Sequence, residues 1–485
     1  MNKENTSQYI ENQFIEQSEK YSVTSMYLGE KLRGDQPTGD LAVVYTVKNK
    51  QPKHQLTADN TIPDSINIAG ETVLTDVVEQ DVEYEFESDF CMDYINDEND
   101  RAFIDQNRKL GRFGEQGSIE PLRRAGMSIQ NLTYSIDYKN INGAHNMLKG
   151  IKIGTLGMFA RDDQDGALVG LSNNHVLTPD FVTANLQGSS SVNYKNDTVI
   201  CPADDQTFAG TPVSVGYMTL NERTKANDIE YKLGEVKRSW ALQRLNNEID
   251  AAICSVTIDL SADSTSQAIK ASQWRSTSTD SFVPIGMNID YSMEWATSAE
   301  IDALVIGQSS KLFKSGYKTG GVGYPISTNG KMCELYMSGA YFSSFVSSKQ
   351  FKNIIQYKGR DGLDPSAGGD SGSPLCAEIN GVWKLIGIHF AGGQDRKTGE
   401  HHGLACRIDK IASKLKISRW DGNNTIKSDS GTFSTEPEPT YAVFNGWRSE
   451  PTLVIDGKTY YQVGRTSEKI SHSIDKFGNI STLNS

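Results

Sequence analysis

Apolar positions at Tyr9, Ile10, Phe14 and Ile15, set in a polar run, predict a helix over residues 7–20. The period then shortens. "VTSMYLGEKLRGDQPTGDLAVVYTVKNK" reads as two β-rich runs around a Gly/Pro turn, and "ETVLTDVVEQDVEYEF" as another. Helix and strands together predict a small α+β module over 1–86. Residues 87–147, acidic and then glycine-rich, read as a connector. Beyond Gly150, strand-like runs alternate with Gly, Asn and Asp turns: "IKIGTLGMFAR", "GALVGLSNNHVL", "DAAICSVTI", then "CELYMSGAYFSSFV", "FKNIIQYKGR" and "WKLIGIHFAGG". Regular strands with little helix predict a sandwich or barrel. A short helix, "KIASKLKIS", closes this region. Residues 417–439 read as a polar linker, and 440–485 as a β-hairpin tail with an Asp-Gly turn in "TLVIDGKTYYQVG".

Composition narrows the function. A chain of 485 residues exceeds one ordinary domain. Its net charge of −13 argues against non-specific nucleic-acid binding and against anionic membrane surfaces. No apolar run is long enough to cross a bilayer. The polar start, "MNKENTSQYIENQFIEQSEK", lacks the form of a secretory signal, so a cytoplasmic location is expected. Six cysteines without a CxxC pair fit buried free thiols better than a zinc site or a disulfide scaffold. No metal or organic cofactor is expected.

The candidate chemistry centres on "GGDSGSPLC" and Ser371. A serine hydroxyl needs a base, and the base needs an orienting group. Of seven histidines, His175 in "LVGLSNNHVLT" stands out, because an apolar run followed by a small polar step places its imidazole at a strand end. Asp250 in "NNEIDAAICSV" precedes an apolar run, so it can be drawn inside against that imidazole; Asp228 is the fallback. His389 lies within a strand, whereas His401 and His402 fall in a charged loop, "GEHHG".

In the order His, Asp, Ser, the motifs "LSNNHVL", "EIDAAI" and "GGDSGSP" resemble those of the chymotrypsin-fold serine proteases. "GEKLRGDQPTGDLAVVYTVKNK" and "IEPLRRAGMSI" resemble a bacterial, non-secreted, trypsin-like subgroup. The resemblance covers about residues 148–416. It implies a mainly β chain: a two-barrel chymotrypsin-like protease domain, a small N-terminal α+β domain and a short β-rich C-terminal tail. Barrel 1 would span 148–258, an inter-barrel bridge 259–300, and barrel 2 with its closing helix 301–416. By the same resemblance, Ser371 is the nucleophile, His175 the base and Asp250 its orienter. The backbone amides of Gly369 and Ser371 form the oxyanion hole.

Pro365 and Ser366, with His389, Phe390, Ala391 and Gly392, correspond to the family's specificity pocket, and no aspartate sits at its base. "GIHFAGG" resembles the strand by which glutamyl endopeptidases and picornaviral proteases read Glu or Gln. His389 and Ser366 are therefore expected to accept such a residue, unless His389 is simply satisfied in the core. Phe390 and Ala391 depart from the family pattern. Asp370 corresponds to the residue that pairs with a freshly cut N-terminus in zymogen-activated relatives, for which "NINGA" and "PLRRAG" offer candidate cut sites. The expected partners are a protein or peptide substrate and a regulatory protein acting through the flanking modules. The rival expectation is a catalytically silent scaffold on the same fold.

Overall fold

The computed structural model describes residues 2–34, 36–87, 89–90, 128–131, 137–141, 144–148, 152–178, 189–190, 198–200, 232–256, 293–316, 320–321, 335–360 and 364–420, with short strand pieces between 444 and 482. Most of the expected connector, bridge, linker and tail lies outside the described residues. So do Asp228, the "PLRRAG" site, part of "NINGA", and Cys91, Cys201 and Cys333.

The chain is mainly β. It opens with helix α1 (Lys3–Tyr21), capped by the Asn2 side chain and ended by Ser22 in a left-handed conformation. Ile10 and Phe14, from the expected stripe, are fully buried. Strands β1 (Val23–Arg33), β2 (Gln36–Val47), β3 (Ser65–Ile68) and β4 (Glu71–Glu79) follow, and then the two-residue strand β5 (Glu85–Phe86).

The first half of the site stands on a nine-stranded sheet. It includes β6 (Lys152–Thr155), β7 (Met158–Asp162) and β8 (Leu168–Ser172), the last running into the single-turn helix α2 (Asn174–Leu177). Strands β9 (Lys232–Ser239) and β10 (Ala252–Ser255) complete the part described closely. Leu156, Phe159, Leu168, Val176, Leu177, Val236 and Cys254 pack together as its core.

The second half is built from β11 (Leu312–Gly316), β12 (Leu335–Val346), β13 (Lys349–Gly359), β14 (Pro374–Ile379), β15 (Val382–Gln394) and β16 (His401–Arg407). They pair in the order β11–β14–β15–β16–β13–β12, and a Leu312–Leu335 pairing joins β12 back to β11, closing a ring of six. Closure removes the unpaired edges that an open sheet would leave.

Two expectations change. The N-terminal module is not set apart, because β1 pairs antiparallel with β12 and the order runs on through β2, β4 and β3. Met26, Tyr27 and Leu28 are buried in succession, so β1 is covered on both faces. The expected linker also begins too early. After helix α3 (Ile408–Leu415), which buries Ile408, Ile411 and Leu415 on one face, β17 (Ile417–Arg419) crosses back to pair with β7 of the first sheet. Ile417 and Trp420 are both buried there.

Candidate active site

Register brings the first two residues together. Ser172 of β8 pairs with Ala252 of β10, so the residues just outside this pair, His175 and Asp250, meet at the end of the sheet. Asn173 secures the junction by donating from Nδ2 to the Asp250 carbonyl at 2.6 Å. Both carboxylate oxygens of Asp250 are taken by one residue. The His175 amide donates to Oδ1 at 3.1 Å, and the ring Nδ1 meets Oδ2 in a short contact. On the far side of the ring, His175 Nε2 lies 2.8 Å from Ser371 Oγ. All three side chains are buried.

Ser371 sits in a turn that only glycine can shape. Gly369 and Gly372 adopt φ of 104° and 99°. A Cβ on Gly372 would also fall 2.0 Å from the Thr155 carbonyl of β6. Under the turn, the Asp370 carboxylate meets the Lys314 ammonium at 2.5 Å, with both side chains inaccessible to solvent. A side chain thus occupies the place that the resemblance reserved for a freshly cut N-terminus.

The amides of Gly369 and Ser371 point at one acceptor, the main-chain carbonyl of Glu87, at 2.6 and 3.3 Å. The Glu87 amide donates to the Phe390 carbonyl at 3.2 Å. Upstream, β5 runs antiparallel to β15, with Phe86 opposite Ala391 and Glu85 opposite Gly392. The Phe86 ring stacks on the His175 imidazole with centroids 4.7 Å apart.

The Glu87 side chain enters a polar pocket beside the turn. Its Oε2 lies 2.7 Å from His389 Nε2, and its Oε1 lies 3.3 Å from His401 Nε2. Tyr357 Oη lies 2.8 Å from His389 Nδ1. Gly392 leaves room for the carboxylate, since a Cβ there would fall 1.8 Å from Glu87 Oε1. Burial works against charge on Glu87, but the hydrogen bonds from His389 and His401 outweigh it and hold the carboxyl well below the usual carboxylate range. Burial pushes the His389 imidazole down despite the pull of Glu87. It opposes protonation of His401 too, yet there the hydrogen bond and charge of Glu87, helped by Asp364, win and raise the pKa. These directions favour charge on Glu87 and His401 and a neutral His389. In that state the Tyr357 hydroxyl donates to His389 Nδ1, which leaves Nε2–H to face the carboxylate.

Of the expected residues, His175, Asp250, Ser371, Gly369, His389, Phe390, Ala391 and Gly392 converge on one cleft. Ser366 does not take part as expected. Its hydroxyl is buried and has no hydrogen-bond partner among the described residues, and it is His401 that meets the second oxygen of Glu87. Sequence reasoning passed over Glu87, Tyr357 and His401. Far from a charged loop, His401 and His402 open β16, where they pair with Gln394 and Gly393 of β15. The one signal for this was the apolar run "GLACR" that directly follows them.

No family model matches the chain, and no curated protein matches it. Similar solved structures are bacterial serine proteases. Thermobifida fusca protease A is 11% identical with a TM-score of 0.29, over 61% of this chain and 97% of that one. A protein described as a glutamic acid specific serine protease that utilizes a histidine triad in substrate binding is 13% identical with a TM-score of 0.31, over 61% and 99%. Nocardiopsis protease is 9% identical with a TM-score of 0.31, over 61% and 96%. At scores this low, the likeness adds nothing to the geometry of the site. Among the described residues, no helix is long and apolar enough to cross a membrane.

Proposed function

We propose that this protein is a serine endopeptidase that cuts on the carboxyl side of glutamate, with Ser371 as nucleophile, His175 as base and Asp250 as its orienter. The observation that carries the reading is the seating of Glu87. One glutamate presents its carbonyl to the Gly369 and Ser371 amides and its carboxylate to His389 and His401.

In this reading Ser371 Oγ adds to the substrate carbonyl carbon and gives its proton to His175 Nε2. Asp250 holds the Nδ1–H tautomer and stabilises the imidazolium. The two amides hold the developing oxyanion; losing one such donor typically costs about 3 kcal/mol of transition-state stabilisation. His175 then protonates the leaving amine, and water releases the acyl group by the same route. The Phe390 carbonyl takes the amide of the glutamate, while Ala391 and Gly392 pair with the two residues before it. Glutamine could accept from His389, but it offers no charge to a protonated His401, so glutamate is preferred. The two sheets would be the two barrels of the protease domain, with the cleft between them. We also place the protein in a reducing, cytoplasmic setting, in keeping with the buried free thiols of Cys254, Cys376 and Cys406.

A peptide library offered to the wild type, to Ser371→Ala and to Glu87→Ala, whose pocket is emptied, tests the reading. Cleavage after glutamate by the first and third, and none by Ser371→Ala, is expected. Turnover that survives Ser371→Ala, or a preference for Arg or Leu, overturns it.

A further inference from the structure

We propose that the peptide bond on the carboxyl side of Glu87 is this enzyme's own first substrate, cut within the same chain to give fragments 1–87 and 88–485. The inference rests on the proteolytic reading above and extends it to a substrate that the chain itself supplies.

Four independent features of the Asp81–Glu87 segment match what an acyl donor needs. Its direction and register are set by β15: Phe86 lies opposite Ala391 and Glu85 opposite Gly392, with a further Val82–Asp395 bridge and an Arg396 amide on the Asp81 carbonyl at 3.0 Å. Its reacting carbonyl already accepts from both amides of the glycine turn, at 2.6 and 3.3 Å. The nucleophile is in hydrogen-bond contact with its base at 2.8 Å, and the Phe86 ring covers that base. The pocket clasps the one side chain that follows this register, and Gly392 lacks the Cβ that would expel it. A strap that only covered the cleft would need its apolar contacts. It would not need its main-chain carbonyl in the anion site, nor a carboxylate buried between two imidazoles, which is costly unless fully paired. Holding the reacting groups in one chain also gives the effective concentration of an intramolecular reaction.

The step balances with water as the only co-reactant. Ser371 Oγ forms a bond to the Glu87 carbonyl carbon while its proton passes to His175 Nε2. The C–N bond after Glu87 breaks, and its electron pair takes that proton to form the new amine terminus. Water then adds to the acyl ester, again giving a proton to His175. Collapse restores the Ser371 hydroxyl and leaves a carboxylate on Glu87. Because β1 pairs with β12, fragment 1–87 stays docked after the cut, and its new carboxylate lies in the site as a bound product. Other substrates would enter when β5, which meets β15 through two paired residues, lifts from the cleft, a movement that loss of the Glu87 carboxylate in Glu87→Ala makes easier.

The test is denaturing intact-mass analysis of purified full-length protein over time, beside Ser371→Ala and Glu87→Ala. Wild type is expected to convert to masses 1–87 and 88–485, with a rate constant unchanged on tenfold dilution. Both variants should stay whole, and Glu87→Ala should still cut a separate peptide of sequence VEYEFESDF between its last Glu and Ser. Glu87→Asp, one methylene shorter, gives a second variant and should slow self-cutting more than tenfold. A wild type that cuts the peptide but keeps its full mass overturns the inference and leaves the proteolytic reading standing. A wild type that does neither overturns both, and a rate that scales with concentration overturns cutting within one chain.

Discussion

Two buried carboxylates face imidazoles on either side of Ser371, and they differ in what holds them. Asp250 and His175 lie just beyond paired strands of one sheet. The Asp250 carbonyl is tied down by Asn173, and both carboxylate oxygens go to one histidine. Glu87 arrives on a strand that touches β15 through two paired residues, and its oxygens are divided between His389 of β15 and His401 of β16. The chemistry is alike, but the attachment is not. A carboxylate fixed in the frame can only orient its imidazole. A carboxylate on a strand held by two paired residues can be exchanged for another, and under the proposed function this makes its imidazoles a reader of glutamate.

The sharpest way to break this comparison is at the fixed pair. Asp250→Asn should lower kcat by about 10⁴, because the amide no longer favours the required His175 tautomer. KM for a glutamate peptide should stay within about threefold, since the pocket lies across the cleft. Steady-state kinetics on a glutamyl reporter checks both numbers. A fall in kcat under tenfold would mean that Asp250 is only a structural partner.

A third buried carboxylate, Asp370, anchors the turn itself through Lys314. Removing one partner of such a pair leaves an uncompensated charge, so Lys314→Met should destabilise the fold by about 3–5 kcal/mol. Denaturant unfolding measures this directly. Unchanged stability would show that the turn is held by its glycines and backbone alone.

The fixed parts of the site were the ones legible in the sequence. His175 follows an apolar run and a short polar step, Asp250 directly precedes an apolar run, and Ser371 sits in the glycine-rich "GGDSGSP", so each carries a local mark. Glu87 carries no such mark. In "VEYEFESDF" it is one of several acids in an alternating run, and such charges read as solvated. Its burial depends on His389, 302 positions away, which no local pattern can report. The β-rich character of the N-terminal module was legible for the same local reason. Its pairing with β12 was not, because a strand's period reveals which face is apolar and not which neighbour covers it. His401 was lost at the edge of β16, where two charged-looking residues begin a strand whose apolar part comes after them.

At the exchangeable pair the expected effects are smaller and fall on binding. His401→Asn removes a charged donor facing Oε1 of the glutamate and should cut kcat/KM for glutamyl substrates roughly thirtyfold, or about 2 kcal/mol. The charge also predicts a pH dependence. Glutamate in the pocket raises the His401 pKa, so binding takes up protons. Binding is full below the ordinary imidazole value of about 6.5 and weakens as pH rises through the raised value. On the acid side, the depressed Glu87 value means that its contribution is present above about 4.5 and lost as pH falls further. KM should therefore be lowest between these limits and climb on the alkaline side, and His401→Asn should flatten that climb. An alkaline limb that is the same in wild type and variant would rule out His401 as its source.

The smallest effect separates a reader from a core residue. Tyr357 hydrogen-bonds His389, and its hydroxyl fixes which ring nitrogen carries the proton. Tyr357→Phe leaves His389 Nδ1 buried without this donor, and the ring can then place its proton on the wrong side. One lost hydrogen bond of this kind is worth about 1 kcal/mol, so kcat/KM for glutamyl peptides should fall roughly fivefold. The loss should appear in KM rather than in kcat, because His175 and Ser371 keep their contact. Peptides with a small apolar residue in place of glutamate should be cut no more slowly than by wild type. A packing role for Tyr357 would instead lower the unfolding midpoint and slow all substrates together. Equal losses on glutamyl and apolar peptides would therefore return His389 to the core and leave His401 as the reader of the carboxylate.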